Sequence, residues 1–264
     1  MGSSWSYEGD TITINLYYLN RHQWKRHMES NKIPQNMRKI VYIPSRYHSN
    51  KSNKQLEPGM IPPFIETIEL INYNGIILPN TFPDSVRKII FKKNLIDYYE
   101  HQFEVGSLPN NLEEFVLPER YNQPFRVGSL PNNLEKLDLP IVYDQRLISN
   151  AIPNKVKTLI IRNKNYRYSL KDVIPNSVLK ISFPNGYLKT FEMGEIPDSV
   201  IELYFGSINE ANMYKKNKYK ALVIPQSVQK ITIDAKVYDA QFDDFNHYFT
   251  VYNLNNKLVK SAIE

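Results

Sequence analysis

Five histidines, His22, His27, His48, His101 and His247, are the side chains of this sequence best suited to ligate a metal or relay a proton. Their spacing gives them no shared task. His22 and His27 stand five apart, one residue too many for an i, i+4 pair on a helix, and no H-E-x-x-H phrase joins them. Cysteine is absent, which removes disulfides, thiolate metal sites and a cysteine nucleophile together. No G-x-G-x-x-G, Walker loop or G-x-S-x-G phrase occurs. Glycines that could cradle a phosphate do recur, most plainly in GSLPNNLE, written once from Gly106 and again from Gly128. That second copy, 22 residues on, points to repetition of structure instead, so no catalytic, metal or cofactor residue is expected.

The proline of GSLPNNLE sets a register that runs through most of the chain: Pro34, Pro62, Pro83, Pro109, Pro131, Pro153, Pro175, Pro197 and Pro225. Three residues after them stand Met37, Ile65, Val86, Leu112, Leu134, Val156, Val178, Val200 and Val228. Positions six and eight are equally apolar, from Ile40 and Tyr42 to Ile231 and Ile233, and so is the residue before each proline. Six and eight alternate with five and seven, the period of a strand with one buried face. Three strands run into a proline, Pro118, Pro140 or Pro184, whose missing N–H ends pairing.

The return half of each coil repeats as well. Six residues before the next proline stands Leu56, Ile77, Phe103, Phe125, Leu147, Phe191 or Tyr219, with Ser169 the polar exception. Three before it stands Gly59, Asn80, Gly106, Gly128, Asn150, Asp172 or Gly194, with Leu222 out of pattern. These residue types accept positive φ most easily, which predicts a left-handed turn in each coil. The fold class expected is a repeat solenoid, mainly β, with a curved parallel sheet of about nine short strands at about 4.8 Å spacing, an irregular convex side and little helix.

The phrases YNQPFRVGSLPNNLEKLDL, VIPNSVLKISF and GEIPDSVIELYFG resemble the FNIP repeat family, also called IP22 repeats, a branch of the leucine-rich repeat group. The resemblance covers residues 33–234 and is most specific from Pro109 to Phe205. It implies a leucine-rich-type solenoid, of a kind abundant in amoebae and in giant viruses that infect them. Some members carry an F-box; no F-box phrase stands before Pro34. Only Tyr121 to Phe125 approaches the full F-N-x-P-I phrase, other coils keeping Tyr99, Tyr143 or Tyr187 alone.

Solenoids need caps over their terminal coils. Residues 1–32, with a strand across TITINL and helix across RHQWKRHMES, and residues 235–264, with Phe242, Phe245, Tyr248, Phe249, Tyr252 and Leu254 as aromatic cover, are the expected caps around nine coils in 33–234. No run of eighteen apolar residues is present, and no secretory signal, so an intracellular protein without a membrane span is expected.

Two surfaces compete as the working face. Positions five and seven face solvent, and Val41, Ile90, Val116, Ile160 and Tyr204 make the seventh column more apolar than solvation requires. With Lys88, Lys136 and Asp138 beside them they form the expected partner-binding face. The alternative is nucleic acid or another polyanion on the basic stretch from Asn20 to Lys54, where Arg21, Lys25, Arg26, Arg38 and Lys39 lead nine cations against Glu29 alone. A structural or assembly role through the cap aromatics is the third reading.

Overall fold

Every anchor proline begins the same tight turn. The amide of position three donates to the proline carbonyl in each coil, as in Val86 to Pro83 at 3.0 Å and Val178 to Pro175 at 3.0 Å. The proline supplies the acceptor carbonyl at the head of that turn, and the residues after it are mostly polar and lie toward the outside. The computed structural model describes residues 5–15, 33–44, 55–92, 99–187, 189, 191–206, 222–233, 236–239, 249–252 and 258–260. They fall into two compact units, Met1–Leu134 and Glu135–Glu264.

The first unit holds β1 (Trp5–Glu8), β2 (Thr11–Asn15), β3 (Lys39–Ile43), β4 (Thr67–Ile71), β5 (Lys88–Lys92) and β6 (Glu114–Val116). β1 and β2 form an antiparallel hairpin, and β2 to β6 pair in parallel, each with the next. Equivalent positions lie side by side: Lys39 beside Thr67 beside Lys88 beside Glu114. The second unit holds β7 (Lys136–Leu139), β8 (Thr158–Ile161), β9 (Lys180–Phe183), β10 (Glu202–Phe205), β11 (Leu222–Pro225), β12 (Lys230–Ile233), β13 (Lys236–Asp239), β14 (Phe249–Tyr252) and β15 (Leu258–Lys260). Here β7, β8, β9, β10 and β12 pair in parallel, β13 closes antiparallel on β12, and β11, β14 and β15 make a separate small sheet. No helix occurs among the described residues. The expected helix across RHQWKRHMES lies outside them, as do Leu16, Phe242, Phe245, Tyr248 and Leu254.

The core is the set of columns that the spacing predicts. Ile65, Ile68 and Leu70 in one coil, and Val156, Leu159 and Ile161 in another, are fully buried, and their described counterparts are buried too. All seven glycine, asparagine or aspartate residues expected to turn left-handed do so, from Gly59 (φ 81°) through Asn150 (φ 64°) to Gly194 (φ 81°). Leu222, the one out of pattern, instead begins β11.

Polar side chains stitch one coil to the next. Ser177 Oγ donates to the Val156 carbonyl at 2.9 Å and Ser199 Oγ to that of Val178 at 2.8 Å. In the duplicated phrase Asn111 and Asn133 occupy the same place and reach the carbonyls of Asp84 and Asn110. Buried tyrosines serve the return half: Tyr166 Oη accepts from Leu147 N at 3.3 Å, and burial pushes its phenol up to about 12.

Ser169 proves an exception in sequence only. The coil from Pro153 carries one extra residue in the Asn163–Asn165 turn and loses one before Asp172, so Leu170 takes the buried place while the coil keeps its length. The spacing that the packing preserves is tyrosine to i+4, Tyr143 to Leu147 and Tyr166 to Leu170.

Candidate protein-binding face

The solvent side of the sheet is wider than strict alternation predicts. Amides of positions four and five both donate to one carbonyl of the preceding coil: Arg87 N and Lys88 N to Glu66 O at 2.8 and 3.1 Å, Leu179 N and Lys180 N to Lys157 O at 2.9 and 3.1 Å. Two residues therefore oppose one, a bulge-like step that turns position four outward beside position five. Inward positions three and six are separated by an odd number of steps, and an extra residue between them is the sequence signal of this column.

In the first unit the face carries Arg38, Glu66, Arg87 and Glu113 at position four, Lys39, Lys88 and Glu114 at five, and Val41, Glu69, Ile90 and Val116 at seven. Its charges pair from coil to coil. Arg38 meets Glu66 at 3.5 Å, Arg87 meets Glu113 at 3.0 Å and Lys88 meets Glu114 at 2.6 Å. Glu69 lies between Lys39 at 2.7 Å and Lys92 at 2.9 Å and is only 7% exposed. Burial alone would raise its carboxyl, but the two ammonium groups outweigh that and hold it below the ordinary carboxylate value. Glu69 also separates Val41 from Ile90, leaving Ile90 and Val116 as the adjacent apolar pair. Val116 is 38% exposed, while Val41 and Ile90 are half-buried.

The second unit shows the same construction with different residues. Glu135 pairs with Lys157 at 3.4 Å, Lys180 with Glu202 at 3.3 Å, and Asp138 takes a two-pronged grip from Arg162 at 2.6 and 2.7 Å. Along position seven run Asp138, Ile160, Ser182, Tyr204 and Thr232, so serine parts the half-buried Ile160 from the 37%-exposed Tyr204. Position four adds Leu179, 41% exposed, and Ile201 beside it. The apolar column expected at position seven is thus discontinuous in both units.

Of the basic residues offered for a polyanion, Arg21, Lys25 and Arg26 lie outside the described residues, and Arg38 and Lys39 are held by Glu66 and Glu69. Spacing along one column did not reveal Leu179, Lys92 and Arg162, which reach the face from positions four and nine. It also missed an apolar ridge at the turns. Val105 and Val127, 58% and 54% exposed, precede the left-handed Gly106 and Gly128. A Cβ on Gly128 would lie 3.7 Å from Val105 Cγ1, so the ridge stacks coil on coil.

Comparison with known proteins agrees with this architecture. The FNIP Repeat family model matches at residues 53–94, 99–140 and 143–186. A solved structure from a giant virus, described as CroV588, a novel circular LRR protein structure, superposes with a TM-score of 0.55 at 18% identity, over 77% of this chain and 34% of its own. The chain thus spans about a third of that protein, and at this identity the likeness is one of fold. No curated protein matches. Three consecutive family matches on a leucine-rich-type solenoid place the chain in the FNIP repeat family.

Proposed function

We propose that the chain is a non-enzymatic protein-binding scaffold whose solvent-facing sheet is the contact surface. The observation that carries this reading is the mixture on that face: coil-to-coil ion pairs fix the charged side chains, and apolar side chains stand exposed among them. Ion pairs preordered before binding lower the cost of fixing side chains, and exposed apolar residues supply the contact energy. In the first unit the contacts are Val41, Ile90, Val116 and Lys88. In the second they are Ile160, Tyr204, Lys136 and Asp138. Residues 1–32 and 235–264 act as caps in this reading, and the setting is intracellular. No helix among the described residues is long and apolar enough to cross a membrane.

Polyanion binding is the weaker reading, because Arg38 and Lys39 already have acidic partners. The test is quantitative affinity purification from cells with the wild type and with paired variants, Ile90→Glu with Val116→Glu and Ile160→Glu with Tyr204→Glu. Loss of a specific co-purifying protein from at least one variant that still folds supports the sheet face. Recovery of every partner by both variants rejects it.

A further inference from the structure

The charges on the second unit's face do not balance, and the surplus has one sign. Among the described side chains its three carboxylates, Glu135, Asp138 and Glu202, are each engaged by a cation of a neighbouring coil. Lys136 and Lys230 are exposed and make no ion pair among the described residues. Asp239 is the backbone-register neighbour of Lys230 across β12 and β13. The two free lysines occupy position five of β7 and β12, the first and last parallel strands of this unit's main sheet. Between them lie the apolar members of the face, Leu179 and Ile201 at position four and Ile160 and Tyr204 at position seven.

We propose that this face docks an acidic protein segment, with carboxylates set against Lys136 and Lys230 and aliphatic or aromatic side chains set against Leu179, Ile201 and Tyr204. The proposal rests on the protein-binding reading above and adds the chemistry of the partner. A basic segment would meet two unneutralised ammonium groups, and a neutral one would strip water from them with nothing in return. Nucleic acid fits less well. Its charge is continuous, one per about 1.7 Å of duplex axis, and it would be pressed against Glu135, Asp138 and Glu202 with two free cations to compensate. A protein segment can place its acids at the two ends and its apolar residues between.

The test pans a phage-displayed random peptide library on the full chain, then measures the leading peptide by fluorescence polarisation. The expected result is a clear excess of Asp and Glu over the input library. Lys136→Glu with Lys230→Glu should weaken that peptide about tenfold or more, as should raised salt. Both lysines are exposed, so the variant should keep its fold, checked by circular dichroism. Absence of any binder, peptides without acid excess, indifference to the charge reversal, or tighter binding of a single-stranded DNA oligonucleotide would each overturn the proposal. If Tyr204→Asp abolishes binding while the charge reversal does nothing, the face stands and only the acidic partner falls. If no substitution on the face alters binding, the reading beneath it falls too.

Discussion

Arg162, just past the end of the adjacent strand β8, grips Asp138 through two hydrogen bonds, Nε to Oδ1 at 2.6 Å and Nη2 to Oδ2 at 2.7 Å. Asp138 stands in the column place that Val116 fills in the coil before it, and Arg162 at position nine is what makes a carboxylate acceptable there. Hydrogen bonding to Asp138 raises the guanidinium pKa further still. The Arg162 side chain is 57% exposed and that of Asp138 23%, so solvent still reaches the pair, which contributes about 1 kcal/mol or less to stability. Arg162→Ala should shift a urea midpoint only slightly, and a loss well above about 1 kcal/mol would contradict a surface pair.

Inward columns behave differently. Leu159 is fully buried in β8, between Leu137 and Ile181 in the register. Leu159→Ala should cost about 2–5 kcal/mol in equilibrium denaturation, the usual range for a buried leucine. Leu179→Ala, one coil on and at the surface, should stay within about 0.5 kcal/mol.

Gly128 tests the turn. Its φ of 80°, with a Cβ there in ordinary contact 3.7 Å from Val105, means that a Cβ fits the space but strains the backbone. Gly128→Val should destabilise by about 1–2 kcal/mol, and Gly128→Asn by less, because Asn80 and Asn150 already adopt this conformation in equivalent places. Equal losses from the two substitutions would show that space, and not φ, sets the requirement.

Glu69 should make stability sensitive to acid. Its pKa is lowered on folding, so its contribution is fully present above the unfolded carboxylate value near about 4.3 and is lost as pH falls through the lower folded value. The stability difference between wild type and Glu69→Gln in urea unfolding should be larger at about pH 7 than at about pH 3. A difference independent of pH would mean that Lys39 and Lys92 do not hold the ionised form.

Most of the architecture is legible in the sequence, because a solenoid restates the same constraints in every coil. The proline register locates the turns, the apolar columns locate the strands, and Gly, Asn and Asp mark the left-handed corners. What escapes is whatever depends on a neighbouring coil. Glu69 reads as a lone acid until the register brings Lys39 and Lys92 to it from opposite sides. Leu170 reads as out of step because compensating changes of one residue move it without altering coil length. Leu179 escapes because the shared carbonyl at position four breaks the two-residue period. On the working face, the identities and order of the exposed residues could be read, but their pairing required the structure.

The most direct measurement is the affinity of a co-purified partner for four versions of the chain. These are wild type, Ile90→Glu with Val116→Glu, Ile160→Glu with Tyr204→Glu, and the turn-ridge control Val105→Glu with Val127→Glu. All substituted positions have some exposure, so folding should survive in each. The sheet-face account predicts that at least one of the two sheet variants loses binding by tenfold or more, about 1.4 kcal/mol, while the ridge variant binds as wild type does. Loss in the ridge variant alone, with both sheet variants unchanged, would contradict it and move the working surface to the turns.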